Sequence, residues 1–255
     1  MINKSHIQNS FGKASATYDQ EAPVQKWTAA LVADHVKNCV LPNNFKGLEI
    51  GCGTGFLTEH MLAQNIESEW FITDLSQEML ESCKDRVGER ACFQVMDGEY
   101  PDVAQKFDLI VSSLAVQWFD CLQDGLNRLC DLLKPGGHLV FSTLGQKSFC
   151  EWRKTLEDLH VPVGLHTYQT IEEMRAVAFK GCTTKFTSYI KKQPYDDGLS
   201  FLRALKLIGA HAPRADYKPM GPLMMRNALT HLEEYTDCSM TYEIIIGHIT
   251  RCEDR

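Results

Sequence analysis

The sequence predicts an α/β fold with a doubly wound, mostly parallel sheet, and three observations predict it. An apolar run ending in Leu48-Glu49-Ile50 breaks into a glycine-spaced turn at Gly51-Cys52-Gly53-Thr54-Gly55 and then into a helix. Further short apolar runs follow at intervals, several closed by an aspartate, and helical patterns alternate with them. Alternation of this kind is the signature of a parallel sheet covered by helices on both faces.

The elements can be justified in order. Ser10 to Asp19, reading SFGKASATYD, precedes a helix whose apolar positions Val24, Trp27, Leu31 and Val32 recur at helical spacing, and Pro23 suits its first turn. Leu48 to Ile50 is the first strand of the repeat. Phe56-Leu57 and Met61-Leu62 open the helix that follows it. Trp70 to Thr73 is a strand ending in Asp74, and Ala91 to Val95 is another, followed by Met96-Asp97-Gly98. Phe107 to Ser112 has the continuous apolar character of a buried strand. Lys134-Pro135-Gly136-Gly137 leads into a strand from His138 to Ser142. Ser148 to His160 reads as a helix, Lys185 to Lys191 as a strand, and Leu199, Leu202, Leu205 and Ile208 fall on one face of a later helix. Prolines at 194, 213, 219 and 222 punctuate that region, which predicts a helical insertion before a last strand at Thr241 to Ile249.

The turn indicates the kind of ligand. Its spacing is GxGxG, and Phe56 stands where a dinucleotide fingerprint requires its third glycine. Glu49 at the strand end would repel a pyrophosphate held at a helix N-terminus. S-adenosylmethionine, with an ammonium, a sulfonium and a ribose but no phosphate, suits the turn better. Asp74 lies about 20 residues beyond it, where an acidic side chain accepts ribose hydroxyls.

Composition sets bounds. With 255 residues and 44% hydrophobic content the chain buries one substantial core, and a net charge of -7 argues against a general nucleic-acid binder. Ten cysteines without a CxxC pair, nine histidines without HxxxH and no long apolar run argue against a disulfide scaffold, a metal site and a membrane span. A reduced, cytoplasmic setting is expected, and Cys52 is read as a small filler in the turn rather than a reactive thiol.

Residues 46 to 145 resemble the class I S-adenosylmethionine-dependent methyltransferases in their glycine turn, acidic ribose position, Asp-Gly adenine position and LLKPGG strand entry. The resemblance implies a seven-stranded sheet with an antiparallel last strand. It places Glu49, Gly51, Gly53 and Gly55 around the methionine part, Asp74 on the ribose and Asp97 near the adenine. Cofactor contacts are further expected from Tyr18, Cys52, Leu75, Met79, Gly98 and Leu114.

The substrate is indicated by the loop after the fourth strand, Ser112-Ser113-Leu114-Ala115-Val116-Gln117-Trp118-Phe119. It lacks the Asn/Asp-Pro-Pro-aromatic segment and the Pro-Cys pair of nucleobase methyltransferases. An apolar loop with one amide and one indole suits a small acyl group with a polar tip; packing beneath the next helix explains Leu114 and Val116 equally well. Together, FGKASATYD, LAVQWF and DDGLSFLRALKLIGA (Asp196 to Ala210) resemble the malonyl-acyl-carrier-protein O-methyltransferases along nearly the whole chain. The segment from Cys150 to Tyr189 aligns little.

That resemblance implies methylation of the free carboxylate of a carrier-bound malonyl group, with Tyr18, Gln117 and Trp118 positioning it, no general base and no metal. A free small dicarboxylic acid is the alternative substrate. Residues 174 to 226 carry ten basic and three acidic side chains, a net +7 that leaves -14 for the remainder. Arg203 and Lys206, on one helical face, are expected to meet the acidic carrier protein. The expected organisation is one domain: an N-terminal lid (1-22), a cofactor core (46-145), a variable substrate and carrier lid (150-235) and the last strand (240-250), acting as a monomer.

Overall fold

The computed structural model describes residues 4-64, 68-209 and 219-253. In chain order the elements are α1 (Lys4–Glu21), α2 (Pro23–Val36), β1 (Lys46–Ile50), α3 (Phe56–Gln64), β2 (Glu69–Asp74), α4 (Gln77–Val87), β3 (Cys92–Val95) and β4 (Phe107–Ser113). After them come α5 (Leu122–Asp131), β5 (Leu133–Leu144), α6 (Cys150–Asp158), α7 (Ile171–Ala176), β6 (Cys182–Pro194), α8 (Gly198–Leu207), α9 (Pro222–Tyr235) and β7 (Ser239–Arg251). Seven strands form one sheet in the order β3-β2-β1-β4-β5-β7-β6. β1 to β5 are mutually parallel, and β7 runs antiparallel to β5 and β6, as expected of the last strand. The order reverses between β1 and β4, and a doubly wound sheet binds its ligand in the crevice at that point.

Leu48, Leu109, Ile110 and Val111 are wholly buried because β1 and β4 have helices on both faces. β5 begins at Leu133, earlier than His138, since a bulge at Phe107/Leu109 lets the Lys134-Pro135-Gly136-Gly137 run join the ladder. The helix starts follow local chemistry. Ser76 caps α4 by accepting the Met79 N–H, and Pro23 opens α2. Asp197, from the DDG run, caps α8 by accepting the Ser200 N–H at 2.6 Å.

The SFGKASATYD segment lies inside α1, which begins at Lys4 and packs against α4 and α8. Gly12 permits that approach, for a Cβ there would stand 2.7 Å from the Glu78 carboxylate at the start of α4. The 150-235 segment is not helical throughout: β6 lies within it as the sheet's outer strand, and α8 and α9 form the helical part before β7. Arg214 and Lys218 of the basic run, and Ala210 of the LIGA ending, fall outside the described residues. Among those described, no helix is long and apolar enough to cross a membrane.

Candidate active site

At the end of β1 the backbone enters positive φ at Gly51 (+69°) and Gly53 (+55°), which reverses the chain. A Cβ on Gly51 would overlap the Ala115 methyl. The Gly53 N–H donates to Asp74 Oδ2 at 2.8 Å, and the Ser76 N–H donates to Asp74 Oδ1 at 2.8 Å. The carboxylate at the end of β2 thus clamps the turn at the end of β1. Burial raises the Asp74 pKa, against the pull of these backbone donors.

A cavity opens above this clamp. Tyr18, Gly51, Gly53, Asp74, Leu75, Met79, Asp97, Gly98, Leu114 and Trp118 all line it, so most of the sequence-predicted set converges there. Glu49, Cys52 and Gly55 do not. Glu49 is 1% exposed behind the turn, where its Oε2 accepts the Thr58 hydroxyl at 2.7 Å. Its side chain takes the α3 side of the sheet, and burial holds its carboxyl well above the ordinary carboxylate range. Cys52 is buried in the apolar core, in keeping with a filler role, and Gly55 sits under Cys83, whose Sγ would be 2.9 Å from an added Cβ.

The raised pKa of Glu49 yields a test. A folded-state pKa above the unfolded value means that the folded chain holds the extra proton, so this group's contribution falls as pH rises from the ordinary carboxylate range. Glu49→Gln, which mimics the protonated acid, should gain thermal stability over the parent increasingly as pH rises above the ordinary carboxylate range, with cofactor affinity changed less than about threefold. A loss of affinity of about tenfold or more would instead mark Glu49 as an ionised cofactor ligand.

α1 supplies residues that the sequence reading missed. Lys4, Ile7, Gln8 and Phe11 line the cavity, and their spacing with Tyr18 follows one helical stripe that would have revealed them. Lys4 Nζ reaches Asp97 Oδ2 and Glu99 Oε2, both at 2.6 Å. Burial opposes the Lys4 charge, but the two carboxylates together raise its pKa. Glu99, with no exposed side-chain surface, also accepts the N–H groups of Asp120 at 2.9 Å and Cys121 at 3.0 Å.

The other end of α1 is tied to the glycine turn. Asp19 Oδ1 accepts the Thr54 hydroxyl at 2.6 Å, Arg86 pairs with Asp19, and Arg86 Nε donates to the Thr54 carbonyl at 2.6 Å. The Tyr18 ring lies 6.1 Å from that of Phe56, and Phe11 meets Trp118 edge-on at 5.7 Å. Burial, with Asp74 and Asp19 adding to it, raises the Tyr18 phenol, so it stays protonated.

Leu114 sits at φ +51°, a strained conformation for a branched side chain. Two bonds hold it: its N–H donates to Ser142 Oγ at 2.9 Å, and Gln117 Nε2 donates to its carbonyl at 2.8 Å. A second, largely apolar cavity lies beyond it, lined by Gln117, Phe149, Trp152, His166, Tyr168, Leu202, Leu205 and Tyr242 among others. Phe11, Tyr18, Leu114 and Trp118 line both cavities. At this junction Gln117 Oε1 and Trp118 Nε1 are buried with no hydrogen-bond partner among the described residues. Val116, by contrast, is wholly buried in the core, so packing accounts for it while Leu114 faces the cavities.

A family profile described as a methyltransferase domain matches residues 48-139. The malonyl-acyl-carrier-protein O-methyltransferase of Magnetococcus marinus is 35% identical over 253 residues, covering 97% of this chain and 93% of that protein. The chain belongs to the malonyl-acyl-carrier-protein O-methyltransferase family. The biotin biosynthesis bifunctional protein BioCD of Bordetella avium is 36% identical over 242 residues, 94% of this chain, and the chain spans 51% of that longer relative. The plantazolicin methyltransferase BpumL, solved with SAH and a pentazolic desmethylPZN analog, superposes with a TM-score of 0.54 at 14% identity, covering 98% of this chain and 97% of that one, which shows the shared fold.

The three segments that carried the family resemblance meet in space. α1, the Leu114–Trp118 loop and α8 all contribute to the wall of the second cavity. Arg203 and Lys206 lie on the exposed face of α8 while Leu202 and Leu205, from the same helix, face inward.

Proposed function

We propose that this chain transfers the methyl group of S-adenosylmethionine to the free carboxylate of a malonyl thioester carried by acyl carrier protein, making the methyl ester that opens pimelate synthesis for biotin. The observation that carries this reading is the junction of the two cavities, lined by Phe11, Tyr18, Leu114 and Trp118. None of these side chains is a base at neutral pH. A carboxylic acid ionises near pH ~4, so its oxygen is already nucleophilic and needs none.

The first cavity fits the donor on this structure's own terms. Gly51 and Gly53 present no side chain to the cavity, and the Asp74 and Asp97 carboxylates line it as acceptors for hydroxyl and amino groups. When bound there, S-adenosylmethionine supplies a methyl group made electrophilic by its sulfonium. Gly51, Gly53 and Leu114 would hold the methionine part, Asp74 the ribose, and Asp97, oriented by Lys4, the adenine with Gly98, Leu75 and Met79.

In the second cavity the Trp118 indole N–H and the Tyr18 hydroxyl are donors that orient the acyl end without adding a full positive charge. A fixed cation beside the carboxylate would bind it but weaken it as a nucleophile. Anion and sulfonium combine into neutral products, and the apolar walls limit the water that would otherwise favour the charged reactants. Alignment of oxygen and methyl at about 3-3.5 Å then supplies the rate.

Arg203 and Lys206 face outward, where they would receive the acidic carrier protein, and Leu202 and Leu205 of the same helix line the second cavity. The chain is proposed to act as a monomer. All ten cysteines are unpaired, in keeping with a reducing, cytoplasmic compartment.

The test is incubation with methyl-labelled S-adenosylmethionine and malonyl-, succinyl- or acetyl-carrier protein, followed by mass measurement of the acyl group. Label is expected on malonyl-carrier. Label on acetyl-carrier, which lacks a free carboxylate, would overturn the reading, and equal rates with free malonate would favour the small dicarboxylic acid.

A further inference from the structure

Far from both cavities, Cys39, His138 and His248 turn one ligand atom each toward a common point, all within 4.8 Å of one another. Cys39 lies in the turn that ends α2, where its N–H bonds the Val36 carbonyl. His138 and His248 come from the adjacent strands β5 and β7. His138 is paired with Thr250 and Val140 with His248, so both imidazoles project from the same face of the sheet, the one on which α2 packs.

Two of the three separations are close to those of a metal site, and the third is below 4.8 Å. A tetrahedral zinc with bonds of about 2.3 Å to sulfur and about 2.0-2.1 Å to nitrogen sets its S···N ligand edge at about 3.6 Å and its N···N edge at about 3.3-3.4 Å. Here Cys39 Sγ lies 3.6 Å from His248 Nε2, which lies 3.1 Å from His138 Nδ1. Thr250 Oγ1 is 3.1 Å from the same His138 nitrogen. One ring nitrogen therefore faces two partners at once, an arrangement that pairwise hydrogen bonding serves poorly and a shared cation serves well. An open groove lined by Val40, His138, Thr183 and Thr250 gives a path in from solvent. His35, one turn before Cys39, is engaged by the Tyr189 hydroxyl at 2.9 Å.

We propose that Cys39, His138 Nδ1 and His248 Nε2 bind one zinc ion, with the Thr250 hydroxyl or a water completing the tetrahedron. Thiolate ligation releases the Cys39 proton to solvent. Such an ion pins the end of α2 to β5 and β7, and it takes no part in methyl transfer. Linear metal motifs are absent because the three ligands come from three separate elements.

The experiment uses the full chain without a histidine tag, loaded with zinc, dialysed and analysed for metal, and separately titrated with cobalt(II). The expected results are about one zinc per chain and a cobalt complex with tetrahedral visible bands and a thiolate-to-cobalt charge-transfer band. Cys39→Ser, in a surface turn, should keep its far-ultraviolet circular dichroism, lose the charge-transfer band and bind zinc at least about tenfold more weakly. Cys92→Ser, at an exposed position on β3, should match the parent. Should His248→Ala fail to fold, Cys39→Ser decides. Substoichiometric zinc in the parent, or a charge-transfer band that survives Cys39→Ser, would overturn the proposal.

Discussion

Gly51→Ala is expected to abolish useful cofactor binding while the sheet stays folded. Two effects act together. The alanine must occupy a left-handed conformation, φ +69°, at a cost of about 1-2 kcal/mol. Its Cβ also overlaps the Ala115 methyl, so the loop carrying Leu114 has to move. That loop is already strained at Leu114 and held by Ser142 and Gln117, and it walls both cavities. A combined loss of at least about 100-fold in cofactor affinity, equivalent to about 2.7 kcal/mol, is expected. Calorimetric titration with S-adenosylmethionine, alongside circular dichroism, measures it. An affinity within about threefold of the parent would show that the turn tolerates a side chain and that the donor lies elsewhere.

The second large effect is expected from reversing charge on α8. Arg203→Glu combined with Lys206→Glu should lower kcat/KM for malonyl-carrier protein by about tenfold or more, because an acidic partner is then repelled from the face it is proposed to approach. The defect should shrink as salt is added, since both residues are exposed and screening falls within about 8-10 Å at physiological ionic strength. Malonyl-pantetheine, which lacks the carrier, should be methylated at the parental rate. A carrier substrate turned over equally by parent and double variant would remove α8 from the docking face.

What the sequence made legible was local. The glycine turn, the aspartate after β2 and the Asp97-Gly98 pair each announce themselves within a few residues, because backbone conformation and strand ends are short-range matters. The same holds for Pro23 in the first turn of α2. Less legible was the length of α1: KSHIQNSFGKASATYDQE has a glycine and few apolar residues, and such a helix is stabilised mainly by what it packs against. The direction of Glu49 was hidden for a related reason, since which face of the sheet a strand's side chain takes depends on partners such as Thr58. Leu165, His166 and Tyr168 reach the second cavity from an irregular stretch between α6 and α7 that has no period to detect. The Cys39, His138 and His248 cluster is legible only after three elements are assembled.

The shared wall built by α1 has a consequence for turnover. Phe11 and Tyr18 face both chambers, and the helix that carries them is fastened at one end by Lys4 and at the other by Asp19. Displacing this one helix would open both chambers at once, so exchange of the donor and exchange of the acyl group are expected to be linked.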